Sequence, residues 1–95
     1  MREKTTEQKL TLAVKKAGGI APKFVSPGLD GMPDRIVLLP GGCMAFVEVK
    51  APGEKPRPLQ LARHKLLCSL GFKVYVLDDE QQIQQIIKDI GGDVE

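Results

Sequence analysis

Apolar positions along this chain follow two rhythms, one helical and one alternating, and together they mark out its elements. Leu10, Ala13, Val14 and Ala17 fall at helical spacing. Thr5 followed by Gln8 makes a capping-box pattern ahead of them. The spacing predicts a first helix over residues 6–17, stopped by Gly18-Gly19. A short strand is expected over 20–25. Two β-rich apolar runs follow, 35–39 and 44–49, separated by Pro40-Gly41-Gly42. That arrangement predicts a hairpin with a short glycine-containing loop.

Residues 26–33, Ser-Pro-Gly-Leu-Asp-Gly-Met-Pro, read as a loop by composition. Residues 51–58 hold three prolines, which exclude a regular helix or a central strand. A second helix is expected over 58–70, with Pro58 in its first turn, Gly71 beyond its end and a stripe of Leu59, Ala62, Leu66 and Leu70. Residues 72–77 read as a strand. Asp78 or Asp79 caps a last helix whose stripe is Ile83, Ile86, Ile87 and Ile90. The expected order is α-β-β-β-α-β-α, an α/β domain.

Composition narrows the class. At 95 residues the chain is expected to form a single domain, 1–95, with one modest core. With 42% hydrophobic and 27% charged residues it falls in the globular range, not the disordered one. No apolar run approaches the ~20 residues of a membrane span. Residues 1–7 carry no apolar segment, so no secretory signal is read and a cytoplasmic protein is expected. Cys43 and Cys68 belong to no CxxC pair and read as free thiols; His64 is the only histidine, too few ligands for zinc. The net charge of +2 names no partner. Its distribution says more, because Lys50, Lys55, Arg57, Arg63 and Lys65 cluster mid-chain while acids dominate from Asp78 onward. A polyanion site and a merely solvated face both accommodate that pattern.

Three ionisable residues interrupt the apolar rhythm. Asp34 stands at the mouth of one strand, and Glu48 and Lys50 break the far end of another. Glu48 and Lys50 share a face, because side chains repeat every second residue along a strand. If the turn is centred on Gly41, Asp34 lies opposite Glu48. Directly opposed residues have Cβ atoms ~4.5–5.5 Å apart. Two carboxylates that close repel unless something neutralises them. A divalent cation does so, and an oxygen-rich site favours magnesium or manganese. Lys50 completes a hydrolytic set, since a lysine beside such a site can position water and offset developing negative charge. A one-residue slip in register would turn one carboxylate to the other face and remove the site.

Pro33-Asp34 with Glu48-Val49-Lys50 resembles the PD-(D/E)xK nuclease signature. The context sharpens the likeness: Glu7 in the first helix bordering the inward face, Gly31-Met32-Pro33-Asp34-Arg35 leading into a strand, Gln60 near the start of the second helix, and Leu70-Gly71-Phe72-Lys73-Val74-Tyr75-Val76. From Glu7 to about Ile87 the chain resembles stand-alone VRR-NUC (virus-type replication-repair nuclease) domains of phages and bacteria. The resemblance implies a restriction-endonuclease-like mixed sheet flanked by helices. It implies metal ligation by Asp34, Glu48 and the Val49 carbonyl, with Glu7 holding the site directly or through water. It implies that Lys50 serves the water nucleophile, with Gln60 near the water or phosphate. It also implies cleavage of branched DNA, such as four-way (Holliday) junctions, by a homodimer.

Lys55, Arg57, Arg63, His64 and Lys65 are candidates for the DNA backbone, each with a solvated surface role as the alternative; His64, on the same helix side as Gln60, has a supporting role beside the site as a further alternative. No phosphate-cradling GxxxxGK[ST] occurs, and no small-molecule cofactor is expected. Leu29, Met32 and Val94 have no place in the core pattern and suit a dimer surface. The reading is an Mg2+- or Mn2+-dependent endodeoxyribonuclease. A DNA-binding module without activity and a protein-interaction domain that keeps the hairpin ion pairs are the competing classes.

Overall fold

The computed structural model of the chain describes residues 3–91. Helix α1 spans Glu3–Lys16, β1 Arg35–Leu39, β2 Cys43–Val49, α2 Pro58–Ser69, β3 Val74–Leu77 and α3 Ile83–Ile90. A 3₁₀ turn, Glu80–Gln82, leads into α3, and another, Pro40–Gly42, joins β1 to β2. The sheet order is β1-β2-β3, with β1 antiparallel and β3 parallel to β2. This is the restriction-endonuclease-like mixed α/β architecture expected from the chain.

The expected register holds. Leu39 pairs with Cys43 across the three-residue turn, and Arg35 pairs with Val47 at the far end. The next step along that register sets Asp34 opposite Glu48. Alternation then gives the sheet two faces. Val37, Leu39, Ala45, Val47, Val49 and Leu77 join Leu10 and Val14 of α1 and Ile83, Ile86, Ile87 and Ile90 of α3 in one core. Ile36, Phe46 and Glu48 face the other way, toward α2, where Phe46 stacks edge-on against Phe24 and Phe72.

Helix α1 starts before the anticipated cap. Thr5 and Thr6 lie inside it, and Thr6 is buried one turn ahead of Leu10, so the threonines extend the packed stripe instead of beginning the helix. Both α1 and α2 close in Schellman geometry. Gly18 and Gly71 take positive φ, Gly19 N–H donates to the Val14 carbonyl, and Phe72 N–H donates to the Leu67 carbonyl.

The segment expected as a strand over 20–25 is only bridged to β1. Ile20 pairs with Leu38 and Lys23 with Arg35. The cause is Pro22, which accepts from Ile36 N–H but has no N–H to return. The ladder is broken there, and the segment borders the sheet without becoming a regular strand. β3 is also shorter than read, beginning at Val74, because Phe72 N–H is used in closing α2; the Lys73 carbonyl already accepts from Phe46 N–H of β2.

Helix α2 departs most from its pattern. Its expected inward stripe of Leu59, Ala62, Leu66 and Leu70 lies on the exposed side. The inward side carries Gln60, Arg63, His64 and Leu67. The strand surface beneath the first turns of α2 carries Glu48, and a buried carboxylate needs polar neighbours, so the helix turns its polar positions inward there.

Candidate active site

The end of the β1–β2 hairpin gathers Asp34, Glu48 and Lys50. Asp34 lies just before β1, and its Oδ1 accepts from Val49 N–H at 3.1 Å. That bond ties the loop residue to β2 and fixes the carboxylate at the strand end. Glu48 is only 3% exposed. Lys50 follows β2; its N–H donates to the Leu77 carbonyl at 2.8 Å, and its Nζ stands 3.8 Å from Glu48 Oε2. The shared face of Glu48 and Lys50, expected from strand periodicity, is what this contact requires.

Helix α2 bears on Glu48 from above. Gln60 Oε1 accepts from Arg57 N–H at 2.8 Å, closing the helix start. The other end of the same amide, Nε2, donates to Glu48 Oε2 at 3.1 Å. The helix cap thereby decides which way the amide points. One turn further, His64 Nε2 lies 3.6 Å from Glu48 Oε1. Burial, and then the nearby Lys50 charge, push the His64 pKa below the usual imidazole value.

The remaining candidates are distributed differently. Glu7 Oε1 accepts from Arg35 Nη2 at 3.2 Å, and Arg35 Nη1 donates to the Ala21 carbonyl at 2.6 Å. Arg35 shares the strand parity of Val37 and Leu39, so this ion pair belongs to the α1 side of the sheet. The structure does not bring Glu7 together with Asp34 and Glu48: among the described residues no three His, Cys, Asp or Glu side chains converge as a metal cluster. Lys55, Arg57 and Lys65 are exposed around α2. Arg63 is turned back, its Nε donating to the Asp30 carbonyl at 2.7 Å, and His64 is turned inward. Arg35 is the residue that sequence reasoning missed. A charge at an inward strand position was its visible signal, because such a charge must find a partner.

The donor set fits a hard divalent cation in part. It offers two carboxylates on adjacent strand ends, one of them deeply buried, with the Val49 main chain between them and a lysine. Oxygens of this kind suit magnesium or manganese, with water completing the shell.

A mixed sheet carrying Pro-Asp at one strand mouth and Glu-x-Lys on the neighbouring strand defines the PD-(D/E)xK class of nuclease folds. No protein-family model matches the sequence. A curated phage protein named "Putative nuclease p44", from Acyrthosiphon pisum secondary endosymbiont phage 1, is 56% identical over 80 residues, covering 84% of this chain and 86% of the relative. A solved structure described as a VRR_NUC domain superposes with a TM-score of 0.84 at 32% identity, covering 90% of this chain and 94% of that one. The chain belongs to the VRR-NUC family of nuclease domains.

Proposed function

We propose that the chain is a divalent-metal-dependent endonuclease that hydrolyses DNA phosphodiester bonds, with Asp34, Glu48 and Lys50 at its centre. One observation carries the reading: a buried glutamate, an aspartate tied to the same strand and a lysine 3.8 Å from the glutamate meet at one hairpin end. Asp34, Glu48 and the Val49 carbonyl would hold the cation, magnesium or manganese. When bound, such an ion acidifies water and polarises the phosphoryl oxygen. Lys50 orients the attacking water and offsets charge that develops on the phosphate. Gln60 keeps Glu48 in place through its amide. Glu7 supports the site through Arg35, whose chain neighbour is Asp34. Exposed Lys55, Arg57 and Lys65 supply backbone contacts to DNA, the sequence-independent part of binding.

Branched DNA, four-way junctions in particular, is the proposed substrate, cut by a homodimer that places two identical sites about a twofold axis. The bare leucines of α2 support a partner surface, together with Leu29; Met32 is half-buried, and Val94 lies outside the described residues. No helix among the described residues is long and apolar enough to cross a membrane, and a DNA substrate implies work in the cytoplasm. The test is incubation with duplex, flap and four-way DNA, with and without magnesium or manganese. Metal-dependent cuts placed symmetrically on opposed strands of the junction support the whole reading. Absence of any metal-dependent cleavage sinks it.

A further inference from the structure

The sequence offered His64 as a contact for the DNA backbone, but its position points inward. It is 8% exposed, on the inward side of α2, and its Nε2 is buried with no hydrogen-bond partner among the described residues. The acceptor that faces it is Glu48 Oε1, at 3.6 Å. Gln60, four residues earlier on the same helix side, already donates to the other oxygen of that carboxylate at 3.1 Å. Two donors from one helix therefore address the two oxygens of one buried glutamate. A histidine present only to fill space would have no reason to aim a buried ring nitrogen at a carboxylate, where an apolar side chain would pack without a polar atom to satisfy.

We infer that His64 is a positioning residue: its Nε2–H holds Glu48 Oε1 while Gln60 holds Oε2, so that the carboxylate is aimed before a cation arrives. The inference rests on the metal-dependent reading above. Groups that hydrogen-bond a metal-ligating carboxylate fix its direction, and removing one costs about 10- to 100-fold in metal affinity. A movement of the Glu48 side chain by about half an ångström closes the 3.6 Å distance to hydrogen-bond range.

The test compares His64→Leu, which keeps bulk but removes the donor, with His64→Gln, whose amide nitrogen reaches a similar point. Manganese binding is measured by calorimetry on the full chain without DNA, beside thermal melting. The leucine variant is expected to bind manganese at least about tenfold more weakly, and the glutamine variant to recover most of that loss. Raising manganese should restore cleavage by the leucine variant, while DNA binding in chelator stays at the wild-type level. A leucine variant that melts normally and binds manganese as tightly as wild type overturns the inference, as does a glutamine variant no better than leucine. If leucine prevents folding, His64→Asn replaces it; this amide is one methylene too short and must bind manganese more weakly than glutamine. Wild-type protein that binds no manganese removes the nuclease reading and this inference together. Wild-type binding that is lost in Glu48→Gln but untouched by His64→Leu removes this inference alone.

Discussion

At the scale of single residues, the two carboxylates are not equivalent. Asp34 receives Val49 N–H, whereas Glu48 is flanked by Gln60 and Lys50. Asp34→Asn and Glu48→Gln are each expected to reduce magnesium-supported cleavage below detection and leave a folded protein, read by plasmid or junction assays and circular dichroism. Near wild-type cutting by either would end their assignment. Asp34→Ala should also lower stability by about 1 kcal/mol, because the partner N–H of Val49 is left unpaired; urea unfolding measures it. Lys50→Ala is expected to lose on the order of 10²-fold in turnover while manganese affinity is kept, since a protonated lysine offers no lone pair to a metal. Calorimetry that shows lost manganese binding would make Lys50 an organiser of the carboxylates instead.

Among the elements, helix α2 and the junction after α1 carry the most specific expectations. Gly19 sits against β1, and a Cβ placed there would lie 2.0 Å from the Leu38 carbonyl oxygen. That carbonyl also accepts from Ile20 N–H, so backbone on both sides must move together. Gly19→Ala should therefore cost about 3 kcal/mol, at the upper end for overpacking. Gly28→Ala, where a Cβ meets nothing within 4 Å, serves as the control and should shift stability little. Equal melting temperatures for the two variants would contradict the packing of the α1–β1 junction. In α2, the inward polar side faces Glu48 and the outward apolar side is not used by its own core.

For the whole molecule, the outward leucines of α2 form the apolar surface that its own core leaves uncovered. Leu61 and Leu66 are 51% and 43% exposed on a helix whose other side already covers the sheet. A homodimer is the expected occupant, and light scattering at micromolar concentration should return twice the chain mass. Leu61→Glu with Leu66→Glu should reduce that mass to the monomer without lowering the melting temperature much, because neither side chain fills the core. Paired cuts in a four-way junction should then become single nicks. A wild-type protein that is already monomeric at these concentrations would remove the dimer and leave a nicking nuclease.

What the sequence determined by itself was mostly local or periodic. The hairpin register was legible because Pro40-Gly41-Gly42 fixes the turn and alternation fixes the faces, which together bring Asp34, Glu48 and Lys50 to one end. The α3 stripe was legible because Ile83, Ile86, Ile87 and Ile90 meet only apolar surface. Tertiary structure decided the rest. Pro22 had to be set against β1 before its missing donor could break the outer ladder. Glu7 found Arg35, and the rotation of α2 was set by what lay beneath it. A hydrophobic stripe predicts the buried side of a helix only where the surface it meets is apolar. Above Glu48 it is charged, so Gln60 and His64 face the carboxylate while Leu59, Ala62, Leu66 and Leu70 turn outward.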